Sequence, residues 1–159
     1  PVLLDIASST PVSAVDARVF GQIVPGFQPD AADPRHWRVL IGIDLDATLG
    51  AHDAVVRARA ADGPLETTVA LRVVAKTFRT RRLTVDEAFV NPPAAARPRI
   101  EAESRQLESI WAAPSAERFW ASGFRRPVRE PANSAFGTRS IFNGQPRSAH
   151  SGISVAMVP

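Results

Sequence analysis

Turn-forming residues recur along the first 85 positions at intervals of about 10–15 residues, and no other feature restricts the fold of this chain so strongly. Gly21, Pro25, Gly26, Pro29 and Asp33-Pro34 form the first such group, the polar exit 44–50 the second, and Asp62-Gly63-Pro64 the third. Only short segments fit between them. Those segments, residues 2–6, 15–20, 37–43, 53–60 and 66–75, are rich in Val, Ile and Leu and in places alternate with period two, as half-buried strands do. The expectation is a mainly β protein whose residues 1–92 form an immunoglobulin-like antiparallel sandwich. With 45% hydrophobic and 22% charged residues, the chain has the composition of a globular protein and not of a disordered one.

Beyond Asn91-Pro92-Pro93 the pattern changes period. Pro98 suits the first turn of a helix, and Ile100, Leu107, Ile110 and Trp111 then fall on one face, with Glu101 and Glu103 read as first-turn acids. An amphipathic helix of about four turns is expected, its apolar stripe serving as a packing face. Pro114 ends it, and Ser115 caps a second short turn over 115–120 that Gly123 closes. Residues 93–123 are thus expected as a helical linker ahead of a last segment, 124–159.

Charge and cysteine usage exclude several function classes. The 19 cations comprise Lys76 and otherwise arginines, and 16 acids are interleaved with them for a net charge of +3. The densest basic cluster is Arg79-Thr80-Arg81-Arg82, and aromatic residues are not interspersed among the arginines, so a nucleic-acid partner is not expected. Cysteine is absent, which removes disulfides and thiolate metal sites. No hydrophobic run is long enough for a transmembrane segment. Asp44, Asp46, Thr48 and Gly50 lack the downstream acidic ligand of a calcium loop and read as a strand-exit turn. Trp37 is expected in the core with His36 at the surface, and His52 is expected as an exposed hairpin residue.

Residues 134–153 carry the chemistry. Phe136, Ile141 and Phe142 surround Gly137 and Arg139, and the Asn143-Gly144 pair that follows is a strong hairpin signal because both residues tolerate positive φ. The chain then returns through Pro146 to His150, followed by the small residues Ser151-Gly152. This order resembles the opening of the catalytic domain of LytM/lysostaphin-type zinc metallopeptidases, the peptidoglycan-cutting endopeptidases. In that family a Phe-Gly-x-Arg strand leads through a turn to a His-x-Gly-x-Asp motif. Phe136-Gly137-Thr138-Arg139 matches the first element, and His150-Ser151-Gly152-Ile153 matches the start of the second.

The resemblance implies that His150 occupies the place of the first zinc ligand. It also implies an extracytoplasmic setting, in the periplasm or cell envelope, and a peptidoglycan or peptide substrate. Where the family has its metal-binding Asp this chain has Ser154, and no His-x-His motif occurs before Pro159. A catalytic zinc site needs three protein ligands and an open position for water. Residues 124–159 are therefore expected to form the first hairpin of an incomplete β-rich metallopeptidase domain that does not hold zinc stably by itself. The alternative is a non-catalytic β-sandwich module that binds cell wall or a peptidase partner.

Overall fold

The computed structural model describes residues 1–113, 125, 128, 129, 131–152, 154 and 155. The described part divides into two compact units, Pro1–Ala75 and the described residues from Lys76 onward.

In the first unit, strand β1 (Val2–Ala7) pairs antiparallel with β4 (His36–Ile41), with Val2 opposite Ile41 and Ala7 opposite His36. A second antiparallel sheet runs in the order β3 (Gln22–Pro25), β2 (Val12–Val19), β5 (Gly50–Ala60), β6 (Gly63–Val73). Successive side chains of a strand point to opposite faces, so the alternation of β2 and β4 directs one set inward. Val15, Ala17 and Val19 from β2 meet Trp37, Val39 and Ile41 from β4 and Ala54 and Val56 from β5 in one core. Val39 and Ile41 are fully buried, and each such side chain stabilises by roughly 1.5–3 kcal/mol. The two sheets are joined where the chain leaves β3. Gly26 N donates to the Val15 carbonyl at 2.7 Å, and Phe27 and Arg38 exchange two backbone bonds of 2.8 Å.

β1, β2, β4, β5 and β6 lie where the apolar segments predicted strands. β3 does not: its Gln22–Pro25 segment sits inside what reads as continuous turn punctuation. Two residues of positive φ, Phe20 (52°) and Gly21 (74°), close a tight hairpin there, and Pro25 falls at the end of an edge strand where no ladder donor is needed. The 44–50 segment is a turn as expected, with the Asp44 carboxylate accepting from Asp46 N at 2.9 Å. His52, expected at the surface, is half-buried on the core side of β5. Its ring lies edge-on to Phe20 with centroids 4.9 Å apart, and its Nε2 is 2.7 Å from the Thr48 carbonyl. Trp37 is buried, and His36 and Arg38 both bond the Asp5 carboxylate across the β1–β4 pair, at 2.5 and 3.0 Å.

The second unit holds β7 (Thr80–Leu83), two 3-10 turns (Glu87–Phe89 and Ala94–Ala96), helix α1 (Arg97–Trp111), β8 (Ala132–Ser134), β9 (Arg139–Phe142), β10 (Gln145–Pro146) and β11 (Ser154–Val155). Its sheets run β10-β9-β7 and β11-β8. Helix α1 begins with proline in its first turn, as the sequence predicts. Two readings of it are corrected. Because the helix already begins at Arg97, Glu101 and Glu103 lie beyond the first turn, which contains no acid; Glu103 instead accepts from Arg99 one turn earlier at 2.7 Å. The apolar stripe is not a packing face among the described residues. None of its residues is buried, Leu107 is 47% exposed and Trp111 75%, because no described strand crosses it. The short turn expected over 115–120, and its closure at Gly123, lie outside the described residues. No helix among the described residues is long and apolar enough to cross a membrane.

Candidate functional site

The Asn143-Gly144 turn forms where expected. Both residues have positive φ, 49° and 82°, which is the twist that joins two antiparallel strands with a two-residue loop. Phe142 faces Gln145 and Ile141 faces Pro146 across the hairpin, and Arg147 N continues the ladder to the Ser140 carbonyl at 2.9 Å. The Asn143 side chain does more than permit the turn. Its Nδ2 donates to the Val85 carbonyl and its Oδ1 accepts from Val85 N, both at 3.0 Å, so the amide substitutes for a strand residue beyond the end of β7. Arg147 ties down the same segment through Nη2 to the Val90 carbonyl at 2.8 Å.

β7 is the element that sequence reasoning missed here. Arg79-Thr80-Arg81-Arg82 reads as a solvated basic cluster, yet Thr80–Leu83 pairs parallel with Arg139–Phe142 in unbroken register. Arg81 Nε donates to Ser140 Oγ at 2.9 Å, and Ser140 is buried. The available signal was Thr80 followed two residues later by Arg82 and then Leu83, too short and polar to stand out from a loop.

Gly137 explains why the Phe-Gly-x-Arg segment carries glycine. Its φ is +81°, and a Cβ there would lie 2.1 Å from Phe78 Cδ1. Phe78 therefore occupies the space that any other residue would need. Phe136, expected within the hairpin strands, instead occupies the turn before β9 and is 50% exposed, with its ring edge-on to Phe78 at 6.4 Å between centroids. The turn places it there because Thr138 N and Oγ1 both donate back to the Ala135 carbonyl, at 3.1 and 2.8 Å.

His150 meets this segment through its backbone. Its N–H donates to the Thr138 carbonyl at 2.9 Å, and its carbonyl accepts from Gly137 N at 2.8 Å. Two backbone hydrogen bonds thus tie the two parts of the motif together just beyond the paired residues of β9 and β10. The imidazole is half-buried, with Nε2 3.1 Å from Ser154 Oγ. Ser154 lies opposite Ser134 in the β11–β8 pair, so both hydroxyls rise from the same face of that pair. Ser134 is 5% exposed, and its Oγ has no hydrogen-bond partner among the described residues. Ile153 lies outside the described residues.

These groups do not fit a catalytic zinc ion. Nε2 of His150 is engaged by a neutral hydroxyl, a poor zinc ligand beside imidazole and carboxylate. Among the described residues no group of three or more His, Cys, Asp or Glu side chains could hold a metal. What the arrangement offers chemically is a hydrogen-bonded imidazole and hydroxyl just beyond the end of the hairpin.

No family model matches the chain, and no curated protein does. Among solved structures, a protein from Pseudomonas aeruginosa described as a peptidase M23 is similar, with a TM-score of 0.50 over 85% of this chain at 20% sequence identity. This chain spans about half of that protein, 49% of its length. The likeness is one of fold: a mainly β chain organised as in a peptidase M23 structure.

Proposed function

We propose that this chain is the amino-terminal β module and first catalytic hairpin of a LytM/lysostaphin-type peptidase acting at the cell envelope. Its substrate class would be the peptide cross-links of peptidoglycan, and the chain as given would not cleave them. The observation that carries this reading is the pair of backbone hydrogen bonds through which Gly137 and Thr138 hold His150. It joins the two motif halves that resemble the family, in a chain whose fold is like that of a peptidase M23. His150 would stand in the position of the family's first zinc ligand. In this proposal residues 1–92 contain an immunoglobulin-like sandwich; what supports it is the β4 face packed over β2 and β5.

A second reading is favoured by the bond between Ser154 and His150. A neutral hydroxyl in place of the carboxylate suits a module that binds cell-wall material, or a peptidase, without performing chemistry. Incubating the purified protein with insoluble peptidoglycan tests what the two readings share, binding to the cell wall without cleavage. Co-sedimentation without release of soluble muropeptides is expected under both. Chelator-sensitive release would show that the site is complete after all, and absence of any binding would remove the cell wall as the partner.

A further inference from the structure

Strand β6 pairs with β5 through all 11 of its residues, Gly63 to Val73, with no irregularity in register. Its other edge meets no strand among the described residues. At about 3.4 Å per residue this is a backbone edge of roughly 35 Å whose N–H and C=O groups point outward at every second residue. Natural edge strands carry devices against pairing: inward charges, lysines, prolines or bulges. β6 has none along its centre. Its proline, Pro64, is at the second position, it contains no lysine, and its charges are Glu66 and Arg72.

We propose that β6 is the interface of a symmetric dimer of this chain, formed by antiparallel pairing of β6 with β6 of a second copy about a two-fold axis at Val69. The register follows from charge. With Val69 opposite itself, Glu66 faces Arg72 of the second copy and Arg72 faces its Glu66, so one geometry makes two equivalent ion pairs. A slip of two residues in either direction sets Glu66 opposite Ala70 or Val74 and loses both. Slips by one residue are excluded because they would set outward-pointing backbone groups against inward-pointing ones.

The charges already in place on the sheet agree. Glu66 accepts from Arg57 across the β5–β6 pair at 2.7 Å, and a carboxylate has acceptor sites left for a second guanidinium. Arg72 is exposed and has no ion-pair partner among the described residues. The pairing therefore completes an Arg57–Glu66–Arg72 row from two copies. On the opposite face, the same register sets Leu65, 45% exposed in the single chain, across from Val73, and Leu71 across from Thr67. The apolar side of the sheet thus continues into the second copy.

The test is sedimentation velocity of the whole protein, with the charge variants Glu66→Arg and Arg72→Glu measured alone and mixed. The wild type is expected to be dimeric at about 100 μM, and each variant to dissociate at least about ten-fold more readily, since each sets like charges opposite one another. Mixing the two variants should restore a heterodimer, because the arginine introduced at position 66 of one copy then faces the glutamate introduced at position 72 of the other. A covalent check is available because the chain has no cysteine. Val69→Cys places two thiols across the axis with Cα atoms about 4.5–5.5 Å apart, within disulfide range, so mild oxidation should give a cross-linked dimer. A monomeric wild type at that concentration overturns the proposal. So does a dimer indifferent to both charge variants, or a mixture that stays monomeric while each variant keeps the wild-type circular dichroism spectrum.

Discussion

Replacing Gly137 with alanine tests whether the motif glycine is required by its backbone conformation and by Phe78, and not by any ligand. At φ +81° an added Cβ costs about 1–2 kcal/mol through its approach to the following carbonyl. The methyl carbon would also lie 2.1 Å from Phe78 Cδ1 and 2.3 Å from Cε1, so the ring must move. Overpacking of that kind costs about 1–3 kcal/mol, which brings the sum to about 2–5 kcal/mol. The assay is amide hydrogen exchange at His150 and Arg147, whose N–H groups bond the Thr138 and Ser140 carbonyls. A loss of about 3 kcal/mol should speed their exchange roughly hundred-fold, while amides of β2 and β5 keep their rates. Phe78→Ala in the same chain should remove the steric part and leave the φ penalty, so the double variant should be less destabilised than the two single variants added together. If the two costs add within about 0.5 kcal/mol, the clash is not what Gly137 avoids.

Asn143→Ala should loosen the hairpin by about 1–3 kcal/mol, because it leaves both the N–H and the C=O of Val85 without their partner; Asn143→Gly, which relieves the positive φ but makes no side-chain bond, should rescue little in a denaturation assay. Ile41→Ala removes a fully buried side chain and should cost about 2–5 kcal/mol by chemical denaturation of the first unit. The Asp5 carboxyl is held below its ordinary value of 3.8, first by the hydrogen bond to His36 and then by that to Arg38. The unfolded chain therefore binds the proton more readily, and the contribution is present above pH 3.8 and lost as pH falls through the folded value. Asp5→Asn should flatten that acid limb in urea titrations, and added salt should shrink the difference because the group is exposed.

The parts of the fold that were legible in the sequence are those where one local signal sufficed. The apolar run 37–43 gave β4, Pro98 and the apolar spacing after it gave α1, and Asn143-Gly144 gave the hairpin. What was hidden depends on partners distant in the chain. β3 and β7 are short, and their strand character comes from neighbours, from β2 across the Phe20-Gly21 turn and from β9 some 59 residues away. His52 resembles a surface residue until Phe20, at positive φ, is seen to lie against its ring. The apolar stripe of α1 illustrates the converse: periodicity indicates that a helix has an apolar face and does not reveal what covers it. At the candidate site the sequence named His150 but not the buried Ser134, which is set opposite Ser154 by a β8–β11 pairing of only two residue pairs.

Zinc titration by calorimetry, run on the 159-residue protein and on its His150→Ala variant, bears most directly on the central claim that the peptidase-like hairpin is present without a complete metal site. An imidazole already bonded to Ser154, with no group of three metal-ligating side chains among the described residues, should leave the ion mostly hydrated, so the account predicts no one-to-one binding tighter than about 10 μM in either protein. Sub-micromolar, one-to-one binding that His150→Ala abolishes would contradict it.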